Sequence, residues 1–284
     1  MKNACSILFV AFIAMAVLLS SGCTSTSEIC PACEAAQTAD DSDSDSLMQS
    51  SLSELQGETY SGLDDLFSRA RICAGSVGTA DLQEKISEAA SGKDYILTIA
   101  YIGSDGVLNA ISPESGGINV GDSLEYQDSV VRMNENKTPL LTDLFELKQG
   151  GYAAAVYYPV FSGDSYQGFI SITFVPETFF SKYAAELKEE SGFEVMVLQT
   201  DGLILYDPDE SEAGQQTFNN PAYEDFPGII EAAEKVVKDW SGSCEYSYYA
   251  TGTKDEIVKK AFWSTVDTGG NEWRIMVIKN TGEE

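Results

Sequence analysis

Two cysteines at a spacing that can do redox chemistry, Cys30-Pro31-Ala32-Cys33, stand near the start of the chain. A C-x-x-C pair works as a dithiol when a strand precedes it and a helix N-terminus follows, which lowers the thiol pKa. Here the flanks are rich in Ser, Thr, Ala and Asp, so Cys30 and Cys33 read as a local disulfide or as incidental thiols. A redox role is the alternative. Asp41-Ser42-Asp43-Ser44-Asp45 begins like a calcium loop, but Ser46 and Leu52 stand where such a loop needs Gly and Glu. It reads as a solvated acidic run, and no metal or cofactor is expected. The chain has no histidine. That removes Ser-His-Asp and Cys-His nucleophiles, imidazole-bound zinc and histidine acid–base chemistry. No catalytic residue is assigned, and the expectation is a protein that is not an enzyme.

The N-terminus carries a different chemistry. Lys2 precedes an apolar run from Ile7 to Leu19, shorter than the about 20 residues a membrane span needs and of the length of a secretory signal. The run ends in Leu19-Ser20-Ser21-Gly22-Cys23. This resembles a lipobox, which implies acylation of Cys23 and an anchor built from buried methylenes; an ordinary signal peptide cleaved nearby is the alternative. The expected place is the extracytoplasmic face of the cell membrane, lipid-anchored. Cys30, Cys33, Cys73 and Cys244 then remain. Cys30–Cys33 with Cys73–Cys244 is one of three pairings, and free thiols at Cys73 and Cys244 are equally open.

With 284 residues, 43% of them hydrophobic, the chain can bury one or two cores. Its net charge is −28, which argues against nucleic acid as a partner and against docking on anionic lipid through the protein surface. An anionic ligand stays open, because one local Arg can dominate a small pocket.

The expected organisation is a signal peptide at 1–22, a flexible acidic tether at 23–46 and an N-terminal helical region at 47–92. As a coil the tether would reach about 25–30 Å. Leu52, Leu55, Thr59, Leu63, Leu66, Ala70 and Cys73 recur every three or four residues, one face of a long amphipathic helix. A second helix carries Leu82, Ile86, Ala89 and Ala90 inward. Strands follow at Asp94 to Ile102 and Val107 to Ser112, around Gly103-Ser104-Asp105-Gly106. A helical segment is expected around Asp122 to Asn134. Gly150 to Val175 then reads as a hairpin: Tyr152, Ala154, Val156 and Tyr158 share one face, and Ile170, Ile172 and Phe174 share one face of the return strand. Pro176 to Ser191 is a connector helix, with Phe179, Phe180, Tyr183, Ala184 and Leu187 inward. Beyond it come a hairpin around Thr200-Asp201-Gly202, a helix from Ile229 to Trp240 with Ile230, Ala233, Val237 and Trp240 near one face, and three closing strands. Asn136-Lys137-Thr138 is a glycosylation acceptor pattern.

In their order, DYILTIAYIGSDGVLNAISPES, LLTDLF, GGYAAAVYYPVF and YQGFISITFV resemble the PAS-like extracytoplasmic sensor modules called Cache. GFEVMVLQTDGLILYDPDESEAG resembles the start of a second such module, and Asn271-Glu272-Trp273 matches the usual ending. The resemblance spans roughly Leu47 to Lys279. It implies an α+β fold in which a long N-terminal helix precedes two stacked PAS-like units, each an antiparallel sheet flanked by helices. The membrane-distal unit with its connector is placed at 93–186 and the membrane-proximal unit at 187–284. It also implies a small-molecule ligand in the distal unit; the proximal unit has fewer cavity-like features and reads as scaffolding. The family's amino-acid pocket carries Tyr, Arg and an aromatic pair. This chain offers Tyr126 and Arg132, followed by Met133-Asn134-Glu135. The residues assigned to the ligand are Arg132 as a fork for a carboxylate, Asp143 as acceptor for an amine or a loop amide, Tyr152 and Tyr157 as walls or hydroxyl donors, and Tyr101. The leading reading is a small-molecule binding or sensor protein, held at the membrane by its N-terminal lipid, that signals, if at all, through a membrane partner. The alternatives are a redox or disulfide-handling lipoprotein and a structural envelope lipoprotein without ligand.

Overall fold

The computed structural model describes residues 31–114, 117–148, 150–249 and 255–282, with the side chains of 31–41 and 249 left aside. Cys23, Cys30 and the signal segment lie outside the described residues, as does the side chain of Cys33.

Helix α1 runs Pro31–Ala74. Its first residues belong to a separate unit, Met1–Ser42, and everything that follows concerns the second unit, Asp43–Glu284. The helix thus begins inside the stretch expected to be a tether; Glu34, Ala35, Ala36 and Gln37 are good helix formers and extend a helix already nucleated downstream. From Met48 to Cys73 the three-and-four spacing is realised: Met48, Leu55, Leu63, Leu66, Ala70 and Cys73 are buried, and Thr59 is buried with its hydroxyl donating to the Leu55 carbonyl. Helix α2 (Leu82–Ala90) lays Ile86 into the same core.

Two antiparallel sheets follow. The first contains β1 (Ile96–Gly103), β2 (Leu108–Ser112), β3 (Leu140–Leu141), β4 (Phe145–Glu146), β5 (Tyr152–Ser162) and β6 (Ser165–Phe174), in the order β2-β1-β6-β5-β3 with β4 on β5. Helix α3 (Asp128–Asn136) crosses its outer face and begins later than expected, because residues 122–124 make turn hydrogen bonds to Gly106 and Leu108 instead. Gly168 is required where β6 meets β1: its φ is +127° and a Cβ would stand 2.1 Å from the Ile102 carbonyl oxygen.

Helix α4 (Pro176–Ser191) leads into the second sheet: β7 (Glu194–Gln199), β8 (Ile204–Tyr206), β9 (Gly242–Tyr249), β10 (Glu256–Thr268) and β11 (Asn271–Asn280), in the order β8-β7-β11-β10-β9. Helix α5 (Pro227–Lys238) covers its outer face. The buried stripe of α5 is Ala232, Ala233 and Val236. The expected face through Trp240 fails because the helix ends at Lys238, and Trp240 is 54% exposed. Arg274, itself buried, closes that end by donating to the Val236 and Val237 carbonyls at 3.2 and 3.3 Å, where the helix dipole favours a cation.

One apolar core runs beneath α1 and α4 and joins the inner faces of both sheets. Trp273 is its centre, with ring centroids 6.4 Å from Phe174 and 6.1 Å from Phe180. Cys73 sits in this core and Cys244 packs on the outer side of the second sheet, so both are free thiols and the Cys73–Cys244 pairing does not form. Burial pushes the Cys73 thiol up to about 11, which makes it inert at neutral pH.

Candidate ligand-binding site

The period-two rule divides the expected site. In β5, Ala154 and Val156 face the core under α1, while Ala155 and Tyr157 face α3. Tyr152 and Tyr157 therefore stand on opposite faces of one strand. Tyr152 lies against the second sheet's loops: a Cβ on Gly214 would come within 2.1 Å of its ring. Tyr101 belongs to the inner face, and its hydroxyl donates to the Gln167 carbonyl at 3.0 Å.

Arg132, Asp143 and Tyr157 come together near α3. The Arg132 Nη2 donates to the Leu141 carbonyl at 3.1 Å, and Nη1 lies 3.7 Å from the Asp143 carboxylate. Arg132 Nε is buried with no partner. Asp143 also accepts from the Asn271 side chain at 3.0 Å, while the Leu144 amide donates to Gln199 at 2.6 Å. The loop carrying Asp143 is thus tied to the second sheet. Tyr157 is buried; its hydroxyl shares a 3.1 Å hydrogen bond with Ser129, and its ring centroid lies 4.5 Å from that of Phe169. Burial raises its pKa, and the Ser129 bond and the Arg132 charge partly offset that. The space around it is occupied by Val130, Met133, Leu140 and Phe169. Tyr126 is 67% exposed.

A concavity with convergent polar groups is on the second sheet, where the sequence pointed to scaffolding. A cavity of about 510 Å³ lies between the sheet's outer face, the start of α5 and the loop after β8, a size that suits a small ligand. One wall is aromatic. Tyr246 and Tyr248, two apart in β9, stack at 6.4 Å with 17° between planes, and Phe226 meets Tyr248 edge-on at 6.1 Å. The opposite wall is acidic, with Asp207, Asp209, Glu212 and Glu194. Lys259 donates to Glu194 at 2.8 Å, and Lys188 reaches the same carboxylate at 3.2 Å. Burial alone would raise the Glu194 pKa; these two lysines outweigh it and hold it below the usual range. Asp207 has no such partner. Burial pushes its carboxyl up to about 6, against a hydrogen bond from the Asp209 amide at 2.9 Å. Tyr223 donates to Glu212. Thr217 lines the cavity, is 2% exposed, and its Oγ1 has no hydrogen-bond partner.

Sequence reasoning did not assign these residues. The signals available were the alternation of Tyr246 and Tyr248, which puts two phenols on one face, and the acidic run Asp207-Pro208-Asp209-Glu210.

Known proteins place the fold. Residues 64–176 match the family model described as HK/GC/Chemotaxis protein-like, sensor domain, a stretch running from within α1 through the first sheet. An extracellular ligand binding receptor from Desulfohalobium retbaense superposes with a TM-score of 0.65 at 17% identity, over 82% of this chain and 40% of that one. This chain therefore spans less than half the length of that receptor. The ligand binding domain of the Pseudomonas aeruginosa amino acid chemoreceptor PctB, solved with L-Gln, gives 0.60 at 13% identity over 83% and 89% of the two chains. The ligand-binding domain of Pseudomonas fluorescens chemoreceptor CtaA, solved with L-serine, gives 0.62 at 12% identity over 86% and 100%. At these identities the likeness is one of fold, and the fold is the double-Cache-like arrangement. No curated protein sequence matches the chain. No helix among the described residues is long and apolar enough to cross a membrane, and no group of metal-ligating side chains gathers among them.

Proposed function

We propose that this protein is a lipid-anchored, extracytoplasmic sensor that binds a small molecule, catalyses nothing, and passes any signal to a membrane partner. One observation carries the reading: two antiparallel sheets beneath one long N-terminal helix, the arrangement of bacterial chemoreceptor ligand-binding domains, with a sensor-domain match at residues 64–176. The anchor rests on Cys23 and the small residues before it, and the membrane partner on the extracytoplasmic position that this anchor implies.

On the first sheet the ligand contacts are Arg132 and Asp143, at the open margin of a face that side chains otherwise fill, with Tyr157 behind them. The buried, unpartnered Arg132 Nε supports this, because a ligand carboxylate would complete its hydrogen bonding. PctB and CtaA were solved with amino acids, so amino acids head the candidates here. The test is a thermal-shift screen of the purified protein against amino acids, short carboxylates, amines and purines. A ligand at about 100 times its Kd adds about 2.7 kcal/mol to stability. Arg132→Ala is expected to abolish the shift from a carboxylate ligand, and an unchanged shift removes Arg132 from the site. A screen with no shift in any class would leave the sensor reading without support.

A further inference from the structure

We propose that the cavity on the second sheet is a separate binding site for a small organic cation, a primary amine on a compact apolar or aromatic body. Charge sets the sign of the ligand. Among the described residues lining the cavity, Lys259 is the one cation, and it is committed to Glu194. Asp207, Asp209 and Glu212 face the same space, and the charge of Lys259 reaches Asp207 only from its place on Glu194. Asp209 spends its carboxylate on Ser211, capping the short turn that follows, and Glu212 accepts from Tyr223. Asp207 accepts the Asp209 amide on Oδ1, which leaves Oδ2 for a ligand N–H, and it is half-buried where Asp209 is exposed. A half-buried carboxylate whose nearest cation is held by another carboxylate is costly, and a ligand ammonium adds the charge it needs.

Shape and polarity set the rest. The stacked phenol faces of Tyr246 and Tyr248 attract a cation through their quadrupoles. Met196, Ile204, Ile229 and Ile278 give the apolar lining that holds a carbon skeleton. Thr217 supplies an independent signal. A hydroxyl that is buried and unpaired costs stability unless something bonds to it, and the residue that carries this one lines the cavity. An ammonium N–H donated to Thr217 Oγ1 satisfies it. That favours a primary amine over a quaternary one, which has no N–H to give.

The site is independent of Arg132 and of the first sheet, so the two readings fail separately. Three probes of matched shape isolate the charge: phenethylamine, 2-phenylethanol and 3-phenylpropionate. Each is added to the purified full-length protein in a thermal melt, with calorimetry for affinity. The amine is expected to raise Tm, the alcohol to do so at least tenfold more weakly, and the acid not at all. Asp207→Asn and Thr217→Val should each weaken the amine at least tenfold. Thr217→Val should meanwhile leave the Tm of the unliganded protein the same or higher, which a merely structural hydroxyl would not allow. Arg132→Ala should bind the amine as the parent does. The proposal is overturned if the amine gives no shift at millimolar concentration, if the acid binds as well as the amine, or if the amine shift survives Asp207→Asn. An amine shift lost in Arg132→Ala and kept in Asp207→Asn would move the site to the first sheet.

Discussion

The outer faces of the two sheets are built alike and filled differently. On the first, α3 brings Val130 and Met133 down onto Tyr157, Phe169 and Leu140, and side chains occupy the space. On the second, α5 brings Ala232, Ala233 and Val236, short side chains that hold the helix close at one end. The start of α5 and the loop after β8 leave about 510 Å³ open at the other. A helix over a sheet does not by itself make a pocket. What makes one is the pairing of small residues where the layers touch with rigid aromatic residues where they part.

Truncations sharpen the contrast most. Phe169→Ala removes a fully buried ring from the packed face and is expected to cost about 3–5 kcal/mol. Met196→Ala, on the hollow face, is expected to cost well under 2 kcal/mol, because one side of that residue already borders empty space. Urea unfolding of both variants checks this, and equal losses would mean the two faces are equally packed.

The next effect is electrostatic. Asp207 has a folded-state pKa of about 6 against an ordinary 3.8. A raised pKa means the folded state holds its proton more tightly. The stability it contributes is full below 3.8 and lost as pH rises through about 6. The groups around it are the Asp209 amide, Glu212, Glu194 and Lys259, with Tyr206, Tyr223 and Tyr246 beside them. Asp207→Asn keeps the amide's hydrogen bond and removes the charge. It is expected to stabilise the protein by about 2 kcal/mol near pH 7.5 and to change nothing near pH 3.5. Denaturant midpoints across that range measure it, and a pH-independent difference would assign the effect to packing.

Much of this was legible in the chain. Leu52 to Cys73 announce α1 by spacing alone, and the alternation in β5 and β6 gives both faces of that hairpin. The same alternation already separates Tyr152 from Tyr157, since an even and an odd position in one regular strand cannot share a chamber. The cavity was not legible. It is a shortage of atoms among residues from 194 to 278, and a shortage has no residue type. Nor does sequence show that Asp143 is held by Asn271, 128 residues away.

The smallest expected effect tests that last link. Asp143 is 62% exposed on its side chain, and its ion pair with Arg132 is long, at 3.7 Å. Such pairs contribute from nothing to about 1 kcal/mol. Asp143→Ala should therefore cost no more than about 1 kcal/mol, including the loss of the Asn271 hydrogen bond. Arg132→Ala should cost more, because it strips a charged donor from the Leu141 carbonyl and takes apolar stem away from α3. The double variant separates the two. If Arg132 acts on the backbone, the losses add to within about 0.5 kcal/mol. If the ion pair is what pins the loop beside Gln199 and Asn271, the double variant costs no more than Arg132→Ala alone, and the first sheet's loop is braced by charge as the second sheet's Glu194 is by Lys259.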